Sequence, residues 1–289
     1  MALLCAAAAL LAGCVTNVEN SNPVPTEPFP TVRADPAAAA LLPARVRQSG
    51  RLVVGVNVPY TPNEFRDSSG RIVGFDVDLV NAVAAVLGVT ASYVESTFEK
   101  IIPAVTAGTY DMGMSSFTDN VERQKTVDFV DYFRAGVQWA RRTGSKVDPD
   151  NACGLRVAVQ ATTVEDTDEV PGKSARCVAA GKPALVKVAF EDQSSATTAL
   201  MLGQVDAMSA DSPATQYAVR QTDGSVEPVG PIYDAAPYGW PVPKGSPLAP
   251  ALRQALQKLI DTGAYRSIAA RWGVQSGMID TVTINNAGQ

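Results

Sequence analysis

Two neighbouring stretches, RLVVGVNV at residues 51–58 and GFDVDLVNAVAAVLG at 74–88, decide the fold. The first is a near-continuous, valine-rich apolar run, the pattern of a strand covered on both faces in a parallel sheet. In the second, Val77, Val80, Val83, Ala84 and Leu87 recur at helical spacing. Asp76 stands where it can cap that helix and Gly88 where it can stop it. Working outward, VTASYV (89–94) reads as a second strand and a short helix over 101–107 ends at Gly108. YDMGMS (110–115) reads as a third strand, and Asp119 with Glu122 marks a further helix start. This β-α-β-α-β-α order argues for an α/β sheet with helices on its faces. After the polar break 141–150 a second series begins. LRVAVQ (155–160), ALVKVAF (184–190) and VDAMSA (205–210) read as strands, SSATTALMLGQ (194–204) as a helix, and another helix follows Asp211. Ser246 and Pro247 then offer an N-cap and a first helical residue to a helix lined by Leu248, Leu252 and Leu256. Two such units imply two lobes with a ligand crevice beyond the strand ends.

The bulk chemistry narrows the function. A chain of 289 residues with 46% apolar and 18% charged side chains can fill one or two cores. Its net charge of -5 is spread without a basic stripe, which excludes nucleic acid as a partner. It contains no histidine, so hydrolases built on a His base and His-ligated zinc are excluded, and neither cofactor nor metal is expected. Residues 1–14, MALLCAAAALLAGC, read as an export signal: the apolar run is too short to span a bilayer and lies at the amino end, although no Lys or Arg precedes it. Its close, LAGC, resembles the lipobox at which bacterial lipoproteins are cleaved and acylated, here on Cys14. Residues 15–48, rich in Pro, Asn and Ala, read as a flexible tether. Cys153 and Cys177 remain as an even pair in an exported chain. Their spacing suits a disulfide closing a loop of about 25 residues, worth on the order of 3 kcal/mol, with two buried free thiols as the alternative.

Several ordered motifs carry a resemblance. GRIVGFDVDLVNAVAAVLG (70–88), GTYDMGMSSFTDNVERQKTVDFVDYF (108–133), VDAMSADSP (205–213) and PYGWPVPKGSPL (237–248) resemble the family 3 extracellular solute-binding proteins, the amino-acid receptors of ABC importers. The resemblance runs from Gly50 to Gly273. It implies an α/β fold of two Rossmann-like lobes joined by a two-stranded hinge, the periplasmic binding protein type II fold, closing around its ligand. Residues 49–141 and 238–289 would form lobe 1, and residues 142–237 lobe 2. It implies capture without covalent chemistry and delivery to an ABC permease and ATPase complex. The protein would work as a monomer anchored through Cys14 to the outer face of the cell membrane.

The same resemblance implies a ligand set. Arg123, in TDNVER, matches the arginine whose planar fork takes the ligand carboxylate. Thr118 and Ser116 fall where the family turns hydroxyl and backbone groups onto the ligand head, Thr118 toward the carboxylate and Ser116 toward the ammonium. Asp211, in SADSP, matches the second-lobe acid that takes the ammonium, a role it would share with capping the helix that follows. Thr162 and Thr163 resemble a Gly-Thr-Thr turn that donates to the carboxylate. The glycine is absent here, which leaves open which threonine makes the contact. Tyr60 and Phe98 match aromatic positions over the ligand side chain, and Gln160 lies near the second-lobe pocket. Asn57 stands where many relatives carry an acid. A neutral amide there leans away from Arg or Lys and toward a polar or acidic amino acid of the glutamate, glutamine, aspartate or asparagine type. Two rivals share the scaffold: a sensor feeding a signalling partner, and a cyclohexadienyl-dehydratase-like enzyme that would need an acid or base such as Glu165 or Asp166.

Overall fold

The structure is a computed structural model and describes residues 24–287. The expected export signal, Cys14 and the start of the expected tether lie outside the described residues. The rest of the expected tether departs from expectation. Helices α1 (Pro36–Ala40) and α2 (Ala44–Ser49) occupy it, and Asp35 caps α1 by accepting from Ala37 and Ala38 N–H. Ala38, Leu42 and Val46, at intervals of four, are buried against the first lobe. They come from α1, the bend after it and α2, and this spacing of apolar residues is what the composition-based reading of a tether overlooked.

Strand β1 (Arg51–Val56) lies between β4 (Thr90–Glu95) and β5 (Met112–Met114), all parallel. A small hairpin, β2 (Phe65–Arg66) and β3 (Ile72–Val73), leads into α3 (Phe75–Val86). Asp76 does not cap α3. The N-cap is Gly74, whose φ of 144° and close approach to the Asn63 carbonyl admit no Cβ, and Asp76 is buried in the first turn. Helix α4 (Phe98–Thr106) begins three residues earlier than expected, and α5 (Val121–Gln124) is capped by Asn120, not Asp119. The lobe 1 core gathers Val54, Leu79, Val83, Met112 and Trp240 with Leu252, Leu256 and Ile268 of the last two helices, α9 (Leu248–Asp261) and α10 (Ala264–Trp272).

The second sheet runs in the spatial order β10 (Val226–Pro243), β6 (Val127–Arg142), β9 (Ala207–Asp211), β7 (Arg156–Gln160) and β8 (Val186–Phe190). Its parallel part is β7 (Arg156–Gln160), β8 (Val186–Phe190) and β9 (Ala207–Asp211), with α6 (Val170–Ala179), α7 (Gln193–Met201) and α8 (Ser212–Gln221) between and after them. Val157, Val159 and Ala158 are fully buried there. The Cys153–Cys177 disulfide is formed and ties α6 to the segment before β7.

The sheets are linked by two long strands that the sequence reading did not resolve, β6 (Val127–Arg142) and β10 (Val226–Pro243), which pair antiparallel. The far half of β6, Val137–Arg141, also pairs with β9, whereas Val130 and Phe133 at its near half join the lobe 1 core. The register of β10 shifts between Val229 and Tyr233 and again before Ala236. At this crossing a Cβ on Gly136 would stand 2.5 Å from the Tyr233 carbonyl oxygen, so only glycine lets the strands approach.

Candidate functional site

The site is built at the carboxyl ends of the parallel strands, where open α/β sheets present their loops. Asn57 and Tyr60 follow β1, Phe98 follows β4, Ser115 to Arg123 follow β5, Gln160 to Glu165 end or follow β7, and Asp211 ends β9. Tyr60, Phe98, Ser115, Ser116, Thr118, Arg123, Gln160, Thr163, Glu165 and Asp211 line one enclosed space between the lobes.

Arg123 is oriented by its own helix start. Asn120 Oδ1 accepts from Arg123 N–H at 2.8 Å. Its guanidinium donates to the Thr118 carbonyl at 2.9 Å and, across the cleft, to the Thr162 carbonyl at 3.0 Å. It lies 5.6 and 5.5 Å from the ring centres of Phe98 and Phe117, which are themselves stacked at 4.2 Å. These rings hold the fork flat and strip water from it, leaving further N–H donors for a carboxylate.

Asp211 occupies the N-cap position of α8, but its side chain makes no capping bond. Instead Oδ2 accepts from Tyr60 Oη at 2.9 Å, from the other lobe. Burial pushes its carboxyl up to about 6, opposed by the tyrosine hydroxyls and Arg123. Ser116 is buried, and its hydroxyl is engaged by its own lobe: it accepts from Asn63 Nδ2 at 2.7 Å and donates to Asp76 at 3.2 Å. The two threonines differ in backbone geometry. Thr162 takes φ of 63° and is exposed, presenting its carbonyl to Arg123, while Thr163 lines the enclosed space and its hydroxyl donates to the Gln160 carbonyl at 2.9 Å.

Asn57 is not the free pocket amide that its place in the sequence suggested. Its Oδ1 accepts from Gln160 Nε2 at 2.8 Å and its Nδ2 donates to the Ser96 carbonyl at 3.2 Å. It is spent on joining the lobes. Glu165, named at first only as a conceivable catalytic acid, faces the enclosed space with 2% exposure. It opens a π-helical turn, Glu165–Glu169, of the kind that often marks functional sites. Its Oε1 has no hydrogen-bond partner, and burial, aided by the charge of Asp211, pushes its carboxyl up to about 8. Asp166 is committed elsewhere, accepting from Thr162 N–H and pairing with Lys187. A larger cavity of about 860 Å³ lies on the hinge side, between α5, α6 and β10, and is not where the head-group residues converge.

Known proteins place this geometry. A family described as bacterial extracellular solute-binding proteins, family 3, matches residues 52–275. The arginine-binding protein of Corynebacterium glutamicum is 46% identical, covering 95% of this chain and 91% of its own. An ABC transporter glutamine-binding protein of Bacillus subtilis is 30% identical over 79% of this chain and 83% of its own. Among solved structures, an ancestral arginine-binding protein bound to arginine superposes with a TM-score of 0.71 at 32% identity, covering 77% of this chain and 98% of that one. Two α/β lobes on a two-stranded hinge, with a polar site enclosed between them and this match along most of its length, make the chain a member of the bacterial extracellular solute-binding proteins, family 3, a binder and not an enzyme.

Proposed function

We propose that the protein is the extracytoplasmic receptor of an ABC importer for an α-amino acid with a cationic side chain, arginine above all. The observation that carries this is the charge count of the enclosed space: one base, Arg123, against two buried acids, Asp211 and Glu165, the latter with an unpartnered oxygen. An arginine zwitterion brings one negative and two positive groups, which is the complement. Its carboxylate meets Arg123 beside the Thr162–Thr163 turn, its ammonium meets Asp211, and its guanidinium meets Glu165. A glutamate would bring a second carboxylate to a space with no second cation, a costly burial. The lean toward acidic or amide ligands rested on Asn57, whose amide is already bonded within the protein. The names of the Corynebacterium and ancestral proteins support the same ligand, and that of the Bacillus relative makes glutamine the competitor to test.

Capture proceeds by hinge closure, with lobe 1 holding the carboxylate before Asp211 and the Thr163 turn arrive from lobe 2. Export and anchoring through Cys14 belong to this proposal. The test is equilibrium binding of L-arginine, L-glutamine and L-glutamate to the purified protein. Arginine binding at least tenfold tighter than the other two is expected, and glutamate binding tightest overturns the charge count.

A further inference from the structure

Directly behind Ser115 and Ser116 lies a second pair of acids that does not line the enclosed space. Glu64 and Asp76 have no exposed surface, and their side chains are within hydrogen-bonding reach of each other. Each has one engaged oxygen and one without a donor. Glu64 Oε1 accepts from Ser115 Oγ at 2.6 Å, while Oε2 has no partner. Asp76 Oδ2 accepts from Tyr132 Oη at 2.6 Å, from Ser116 N–H at 3.3 Å and from Ser116 Oγ at 3.2 Å, while Oδ1 has none. Two ionised carboxylates can only accept, so both orphaned oxygens would remain unsatisfied and the two charges would repel in a dry site. One proton between them removes both costs.

The surroundings supply no other remedy. Tyr132 on β6, Tyr60 before the hairpin, Tyr93 on β4 and Tyr265 on α10 are the titratable groups that face the pair, and each is a neutral phenol whose ionisation burial opposes. Among the described residues no Lys or Arg forms an ion pair with either acid. What the pair holds is the ligand-facing loop. Ser116 has φ of 52°, a left-handed conformation that costs a serine energy and persists only where neighbours fix it. Asn63 and Asp76 fix its hydroxyl from two sides.

We propose that Glu64 is a positioning residue held as a neutral carboxylic acid: it donates its proton to Asp76, and the Asp76 anion thereby kept in the core fixes the strained Ser115–Ser116 turn on which the ligand head rests. The role in binding rests on the ligand site proposed above; the state of Glu64 does not. Burial, and then the charge of Asp76, raise the Glu64 carboxyl well above its ordinary range, while burial raises Asp76 less, because the Tyr132 hydroxyl, Ser116 and Glu64 hold it down. The folded protein then keeps a proton that the unfolded chain has released above about pH 5, so wild-type stability falls as pH rises.

Two measurements test this. Urea unfolding of wild type and Glu64→Gln is followed from pH 5 to pH 8. Glutamine reproduces the donor of a neutral acid but cannot titrate, so the ratio of wild-type to variant unfolding constants should rise about tenfold per pH unit. A ratio that stays flat, or a variant that does not fold at pH 5, overturns the neutral acid. Binding of L-arginine and L-glutamine at pH 7 is then measured for both proteins and for Asp76→Asn. Glu64→Gln should stay within about threefold of wild type, and Asp76→Asn should lose about tenfold or more for whichever amino acid wild type binds. Asp76→Asn binding as wild type does overturns the positioning role. If wild type binds neither amino acid the ligand assignment fails, while the unfolding ratio still decides the state of Glu64.

Discussion

Replacing Glu165 by glutamine keeps the shape of the site and removes one charge, so it isolates the feature on which the cationic ligand rests. In wild type the carboxyl sits at about 8 because burial and the charge of Asp211 outweigh the hydrogen bonds from its own backbone and from Thr163. At pH 7 it is therefore roughly nine-tenths protonated, and ionising it for a guanidinium costs about 1.4 kcal/mol. Burying a cation beside a neutral amide in place of its partner costs about 3–5 kcal/mol. The difference, about 1.6–3.6 kcal/mol, predicts that Glu165→Gln weakens arginine binding roughly 15- to 400-fold at pH 7. The same interaction lowers the bound carboxyl by about two to three and a half units, below about 6. Wild-type affinity for arginine should then rise up to tenfold per unit between about pH 6 and pH 8, and the variant should show a nearly flat profile. Isothermal calorimetry in two buffers of different ionisation enthalpy gives the second arm: close to one proton released per arginine bound at pH 7 by wild type, and almost none by the variant. Arginine binding without proton release, or an equal loss for glutamine, refutes Glu165 as the side-chain partner.

Arg123→Ala should abolish measurable binding of every amino acid, a loss of about 3 kcal/mol or more, because a carboxylate would be buried without its fork; retained affinity by calorimetry would remove Arg123 from the head-group site. The Cys153–Cys177 bridge closes a loop with sequence separation 24. Replacing both cysteines by alanine should cost about 3–3.5 kcal/mol and lower the melting temperature by on the order of 10 °C, with ligand affinity of the folded protein unchanged. A shift under about 2 °C would mean that the bridge adds little constraint to the unfolded chain.

The parts of the fold that were legible in the sequence are those that local pattern fixes. The valine-rich runs of β1 and β7 are buried on both faces, so apolar continuity alone identifies them. The hinge was not legible as strand. β10 contains Pro228, Pro231, Pro237, Pro241 and Pro243, which remove ladder donors and argue against a strand in any local reading. They are tolerated because β10 is the edge strand of its sheet, bridged on its far side only around Thr118–Tyr238, with register shifts absorbing the irregular stretch. Asp76 looked like a helix cap for a similar reason: the pattern shows that a helix begins there, but not that Gly74 ends the preceding turn and sends the carboxylate inward.

The site divides along the same line. That Arg123 and Asp211 line one cleft was readable because each sits in a motif of ordered neighbours. Asn57 was readable as a position but not as a chemistry, since the partner that occupies its amide, Gln160, lies 103 residues away. Glu165 stands in EDTDE, a run that by composition is a solvated acidic helix start; the π-helical turn makes its first acid a wall of the cleft and leaves Asp168 exposed. Charge balance in a closed site is a sum over groups from both lobes, and it exists only once β7 and β9 bring Glu165 and Asp211 to face Arg123. Head-group capture and side-chain choice therefore rest on different kinds of information. A change at Arg123 would remove binding altogether. A change at Glu165 would leave the fold and the head-group grip in place and alter which amino acid is held, so specificity among similar sequences can turn on a residue that no local motif marks.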